Sequence, residues 1–156
     1  MHRLNTTRRE VLAHSAAVAG LLAAAGLLPA RALAAWNEAA FSAKSLADTV
    51  KALGGSAPAE SADVTITGPD IAENGAVVPV GAATSLPGAK KLLLLVEKNP
   101  NVLAAVFELT DKVEANVSTR VKMGQSSNVY AVAMMGDGKV LYAQKEIKVT
   151  LGGCGG

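Results

Sequence analysis

The chain has 156 residues and a formal net charge of +2, from 15 Lys and Arg against 13 Asp and Glu. That length suits one modest domain. The charge is unevenly placed, and its position decides which function classes survive.

Arg3, Arg8 and Arg9 precede an apolar, Ala-rich run over residues 11–28, and Pro29-Ala30-Arg31-Ala32-Leu33-Ala34 follows. A charged start, an apolar middle and small residues at 32 and 34 are the order of a secretory leader over residues 1–34. Arg8 and Arg9, within Thr7-Arg8-Arg9-Glu10-Val11-Leu12, form the twin-arginine pair of the folded-protein export route, so the expected location is periplasmic. The competing reading is a permanent anchor. The run is interrupted by His14, Ser15, Gly20 and Gly26 and falls short of the ~20 residues a span needs, so no membrane contact is expected of the mature form.

Without residues 1–34, the loss of Arg3, Arg8, Arg9 and Arg31 leaves 11 Lys and Arg, and the loss of Glu10 leaves 12 Asp and Glu. The remaining chain is near −1, with no basic patch and no motif for nucleic acid. His2 and His14, the two histidines, also fall within the leader. A chain without His cannot run Ser-His-Asp or Cys-His catalysis, and with one Cys it cannot build the usual zinc or copper sites. No catalytic residue, metal ligand or cofactor site is assigned. A carrier or binding module is the readier reading than an enzyme.

The first expected element is a helix over residues 36–53. Phe41, Leu46, Val50 and Leu53 recur at helical spacing, Asn37 can cap the start and Gly54-Gly55 can end it. From Ala62 the pattern shortens to strands. Val64 and Ile66 alternate with polar neighbours, and residues 76–80 form a short run whose Pro79 suggests an edge or a strand end. Leu92-Leu93-Leu94-Leu95-Val96 fits a strand buried on both faces. Further runs cover residues 102–109, 116–123, 128–135, 140–144 and 146–151. Gly68-Pro69-Asp70, Glu73-Asn74-Gly75, Pro87-Gly88 and Asn99-Pro100-Asn101 are turns, and Gly136-Asp137-Gly138 is a hairpin connection. About seven short strands at this spacing predict a mainly β fold: an immunoglobulin-like β-sandwich preceded by one helix, spanning residues 35–151. Residues 76–80 and 139–151 are the expected edges for a partner to cover.

Met123, Met134 and Met135 are read as core filler rather than thioether ligands. Tyr130, Tyr142 and Phe107 are read as packing residues, Trp36 as packing the helix down, and Lys90-Lys91 as a solvated edge. The chemistry is expected in the tail, residues 152–156, where Cys154 stands between Gly152-Gly153 and Gly155-Gly156. Free cysteines usually sit in cores as small hydrophobes. Here the thiol falls where order is rarely maintained, and glycine gives its backbone many conformations and no bulk. From Leu151 the thiol reaches about 10 Å, at ~3.3–3.6 Å per residue, so a narrow arm can enter a partner's channel. With an ordinary thiol pKa near 8.5, about a few per cent is thiolate at neutral pH. The thiol is therefore an attachment point activated by partners.

Lys148-Val149-Thr150-Leu151-Gly152-Gly153-Cys154-Gly155-Gly156 closely resembles the signature of the SoxY family, the sulfur-binding subunits of the SoxYZ carrier in bacterial thiosulfate oxidation. Residues 43–48 and 53–55, Ile71-Ala72-Glu73-Asn74-Gly75-Ala76-Val77-Val78-Pro79-Val80, Glu97-Lys98-Asn99-Pro100-Asn101 and Thr119-Arg120-Val121-Lys122-Met123 add to it. Val102 stands where that family often has proline. The resemblance implies a heterodimer with a SoxZ-like subunit, a leader that exports both together, and Cys154 as the sulfur attachment point. It implies loading of thiosulfate by the haem protein SoxXA, release of sulfate by the hydrolase SoxB, and oxidation in place where SoxCD exists. The carried species are then an S-thiosulfonate and a persulfide. Two other classes stay open. Ubiquitin-like carriers hold sulfur as a thiocarboxylate, which would put the site at Gly156. An exported adhesion or scaffold module would use the thiol for intermolecular disulfides.

Overall fold

The computed structural model describes residues 8–24 and 37–150, and the chain divides into two units, residues 1–36 and 37–156. In the first, helix α1 (Arg8–Ala24) exposes Leu12 and Leu21, each at 71%. No helix among the described residues is long and apolar enough to cross a membrane.

The second unit is built in three layers. Helices α2 (Glu38–Ser42) and α3 (Leu46–Ala52) cover one face of a sheet ordered β1-β9-β8-β5-β6, with β3 also paired to β9. A three-stranded sheet, β2-β4-β7, covers the other face. The strands are β1 (Ala59–Glu60), β2 (Val64–Thr67), β3 (Ile71–Ala72), β4 (Val78–Thr84), β5 (Ala89–Val96), β6 (Leu103–Glu108), β7 (Asn116–Val121), β8 (Ser127–Met135) and β9 (Val140–Val149). This is the expected mainly β, immunoglobulin-like sandwich behind helical structure.

The helical segment is two short helices rather than one. Asn37 caps α2 by accepting from the Ala40 N–H at 3.0 Å. Ser45 then starts a second helix: its Oγ accepts from the Asp48 N–H and donates to the Asp48 carboxylate at 2.7 Å. A side chain that satisfies a free helical N–H favours a new start, which apolar periodicity alone does not reveal. Gly54 ends α3 at φ 82°, a left-handed conformation that glycine adopts without strain. Gly55 follows where a Cβ would lie 2.6 Å from Val140 Cγ2 and 2.8 Å from Val50 Cγ1, so only glycine lets the chain pass so close to the sheet.

The three layers explain the unbroken apolar run of β5. Leu92, Leu94 and Val96 enter the core between the sheets, with Val64, Val78, Val80, Met123, Val129 and Ile147. Leu93 and Leu95 point the other way, into a core with Ala40, Val50, Val102, Val132, Met134 and Val140. A strand packed on both faces alternates between two apolar environments and shows no polar phase. Met123 and Met134 fall in opposite cores, and Met135 and Phe107 pack against the inter-sheet core. Tyr130 and Tyr142 meet edge to face, centroids 5.9 Å apart, on the helix side.

One edge expectation holds and one needs correction. Strand β4 lies between β2 and β7 over residues 81–83, but residues 78–80 pair with β7 alone, so that end of the strand is open on one side. Pro79 is tolerated there because β2 reaches only to the Gly81 position, leaving Pro79 with a neighbour on the β7 side alone. Residues 140–149 are one continuous strand, paired along β8, with β1 and β3 covering its outer side at its two ends. The outermost strands among the described residues include β6 in one sheet and β7 in the other. The hairpin expected at Gly136-Asp137-Gly138 joins β8 to β9, with Gly138 at φ 86°.

Candidate functional site

The tail begins where β9 ends, so the site is assembled from the strand end outward. Successive N–H groups of a strand point to opposite sides, and the last two of β9 and the one that follows are tied alternately. Lys148 N–H donates to Asp70 C=O at 3.0 Å on the β3 side. Val149 N–H donates to Ser126 Oγ at 2.9 Å. Thr150 N–H returns to the β3 side and donates to Ala72 C=O at 3.1 Å. Parallel pairing of Ile71 with Lys148 and of Ala72 with Val149 sets the register.

The segment that grips the strand is itself held. Lys145 Nζ lies 2.8 Å from the Asp70 carboxylate and donates to Gly68 C=O at 2.7 Å. The hydrogen bond from Lys145, then its charge, lowers the Asp70 pKa below the ordinary carboxylate value. Gly75 C=O accepts from Met123 N–H at 2.7 Å. Asn99 extends the bracing: its Nδ2 donates to Lys122 C=O at 2.7 Å, and its Oδ1 accepts from Gly124 N–H at 3.3 Å. One end of the sandwich thus links the β2–β4 connection, the β5–β6 turn and the β7–β8 connection around the end of β9.

Cys154, Gly152, Gly153, Gly155 and Gly156 lie outside the described residues. Arg8 and Arg9 are exposed in the first turn of α1. Lys145 is occupied by Asp70 and Gly68, which leaves it a bracing role. Asp70, Ser126 and Asn99 were not singled out as site residues in the sequence. Asp70 and Asn99 stand in turn signals, but their partners lie 75 and 23 positions away in the chain. No group of three or more His, Cys, Asp or Glu among the described residues is placed to hold a metal.

A broad hollow lies at the opposite end. A cleft of ≈ 760 Å³ lies between the start of β2, the β4–β5 turn and the β6–β7 connection, lined by Asp63, Thr84, Leu86, Asp111, Val113 and Glu114 among others. Lys90 pairs with Asp111 at 2.7 Å and lowers its pKa, chiefly by hydrogen bonding. The lining holds no cysteine, histidine, lysine or arginine. A smaller hollow beside α3 contains Tyr130, whose pKa is raised by burial and then by the nearby Glu97 charge.

The described residues thus form a two-sheet, immunoglobulin-like β-sandwich with one end of β9 braced by three connections. The profile of the family described as "Sulfur oxidation protein SoxY" matches residues 50–154. The structure of the sulfur carrier protein SoxY from Chlorobium limicola f thiosulfatophilum is similar at 38% identity and a TM-score of 0.60, covering 67% of this chain and 94% of that one. A superoxide reductase (neelaredoxin) from Ignicoccus hospitalis is similar at 21% identity and a TM-score of 0.49, covering 55% of this chain and 78% of that one. No curated protein matches. The chain belongs to the SoxY family, and its role is that of a carrier in sulfur oxidation.

Proposed function

We propose that this chain carries sulfur intermediates covalently on Cys154 during thiosulfate oxidation in the periplasm, after export directed by Arg8 and Arg9. The observation that carries the reading is that the family match runs to residue 154, the cysteine itself. The braced end of β9 supports it, since a carried group needs a fixed point from which to be presented.

Loading joins the Cys154 sulfur to the sulfane sulfur of thiosulfate. The thiol loses a proton, two electrons leave to a haem-containing acceptor of the SoxXA kind, and an S-thiosulfonate remains. Water then cleaves the terminal sulfur–sulfur bond on a SoxB-like hydrolase, releasing sulfate and a proton and leaving a persulfide. Where a SoxCD-like enzyme is present, the persulfide sulfur is oxidised in place. The chain's own contribution is a thiol, near 8.5 in its ordinary pKa, with small neighbours in Gly152, Gly153, Gly155 and Gly156. Catalysis belongs to the partners.

A SoxZ-like subunit completes the carrier as a heterodimer, with open strands β6 and β7 available for it. The test is co-purification from a thiosulfate-grown periplasm followed by intact-mass analysis and fragmentation. The expected result is a second β-sandwich chain and adduct masses of thiosulfonate or persulfide on Cys154. An adduct on Gly156 would establish the thiocarboxylate class instead, and no adduct after thiosulfate loading would overturn the carrier reading.

A further inference from the structure

The segment that grips β9 carries a reactive dipeptide. The chain has seven asparagines, and Asn74 alone is followed by glycine. The other six precede Thr, Glu, Pro or Val. The distinction is chemical. An asparagine side chain loses its amide when the next backbone nitrogen attacks Cγ. A β-branched side chain crowds that nitrogen and proline has no N–H, whereas glycine leaves the nitrogen clear and its backbone free to turn.

The local geometry favours the attack. Asn74 is exposed, and its Oδ1 accepts from the Ala76 N–H at 2.9 Å. That bond closes a ring through the Gly75 nitrogen and folds the side-chain carbonyl back towards its attacker. The same donor stays on the oxygen that gains negative charge as the nitrogen adds. Asn74 C=O also accepts from the Val77 N–H at 3.3 Å, closing the turn over these residues. The Gly75 N–H makes no hydrogen bond among the described residues, so none is broken when it reacts. Asp137-Gly138 repeats the arrangement, with Asp137 Oδ1 accepting from the Lys139 N–H at 2.9 Å. A carboxylate ionised at neutral pH resists the attack.

We propose that Asn74 is a site of spontaneous deamidation and isoaspartate formation, and that this modification loosens the brace on the end of β9. The Gly75 nitrogen loses its proton to hydroxide and bonds to Cγ. The Cγ–Nδ2 bond then breaks, ammonia leaves, and a cyclic succinimide remains. Water opens that ring at either carbonyl, giving an aspartyl or an isoaspartyl residue, and no electron is transferred. Either product adds a negative charge beside Glu73. The isoaspartyl form also routes the backbone through the side chain, lengthening it by a carbon. The backbone on both sides is committed: Ala72 C=O accepts from the Thr150 N–H and Gly75 C=O from the Met123 N–H. A carbon inserted between those acceptors strains both bonds.

The experiment incubates the full chain at mildly alkaline pH, native and in urea, and follows each asparagine by peptide mass. The native chain is expected to gain about 1 Da at Asn74 and nothing at the other asparagines, at a rate no lower than in urea. That rate should rise about tenfold per pH unit, as the deprotonated fraction of a weak acid does below its pKa. An isoaspartyl-specific methyltransferase should label the same peptide. In the isoaspartyl fraction, amide exchange at Thr150 and Met123 should quicken. Asn74→Asp, which adds the charge without the extra carbon, should leave both unchanged. Gly75 is buried, and burial alone would protect it. A native chain that keeps Asn74 intact while the urea-unfolded chain modifies it therefore overturns the proposal, as does modification spread evenly over the asparagines. Unchanged exchange at Thr150 in the isoaspartyl fraction overturns the link to β9.

Discussion

The two ends of the sandwich differ in kind. At one, three connections converge on the last residues of β9, and hydrogen bonds fill the space between them. At the other, the β4–β5 turn and the β6–β7 connection stand apart around a cleft of ≈ 760 Å³. Concavity would direct attention to the second end, since small-molecule sites are usually the largest pockets. Under the proposed reading, that of a covalent carrier, the logic reverses. The substrate is held by a bond and the enclosing site belongs to partners, so the carrier's own site needs an anchorage and an unobstructed exit. The filled, braced end supplies the anchorage.

That contrast can be broken most sharply at the thiol. Cys154→Ser replaces a polarizable thiol with a hydroxyl that is essentially never ionised at neutral pH. Thiosulfate-dependent electron transfer in a reconstituted system should vanish, while folding and pairing with the SoxZ-like subunit persist. Full turnover would return attention to the cleft. Gly153→Val is the next largest effect. It keeps the thiol but adds a β-branched side chain and narrows backbone freedom. Alkylation by small reagents should continue at the parental rate while delivery to partner enzymes is lost. Full turnover here would discard the argument for a narrow tail without touching the carrier.

Smaller perturbations sharpen the comparison between the ends. Ser126→Ala removes the acceptor for Val149 N–H and should cost about 1 kcal/mol of stability. Hydrogen exchange should show faster exchange at Val149 and Thr150 with no change around Asp111. A uniform increase would mean that the braced end is not a local unit. The smallest effect is on acidification. Asp70 and Asp111 both have pKa values lowered in the folded state by a lysine partner. A lowered folded pKa contributes stability above the unfolded value, near 3.9, that is lost as pH falls through the folded one. Both carboxylates are fully exposed, so the loss is small and confined to pH below about 4. Asp70→Asn should remove its acid-dependent part at the β9 end, and Asp111→Asn at the cleft end, as read by residue-resolved exchange between pH 5 and 3.

Much of this molecule is legible in one dimension. The five apolar residues of β5 announce a strand buried on both faces, because no polar side chain interrupts them. Asn37 and Gly54 stand where the helical segment starts and stops. Ser45 shows the limit: it sits inside an apolar period that runs on through Val50, and only its capping bonds to Asp48 reveal the break. The braced end is hidden for another reason. Lys145 meets Asp70 and Asn99 meets Lys122 across the sandwich, and such distances carry no periodic signal. Even the parallel pairing of Ile71 with Lys148 requires β3 to return beside a strand far downstream, which no local propensity encodes. The expectation placed on Cys154 is of another kind, resting on composition, a single cysteine between two glycine pairs.

The alternating ties at the end of β9 have a mechanical consequence. A partner that draws the tail along the axis of β9 loads the Lys148, Val149 and Thr150 bonds together, in shear, along with the ladder to β8. Sideways traction would peel them one at a time. Traction along the strand is therefore resisted more strongly than sideways traction, and the strength of the grip depends on the direction of pull.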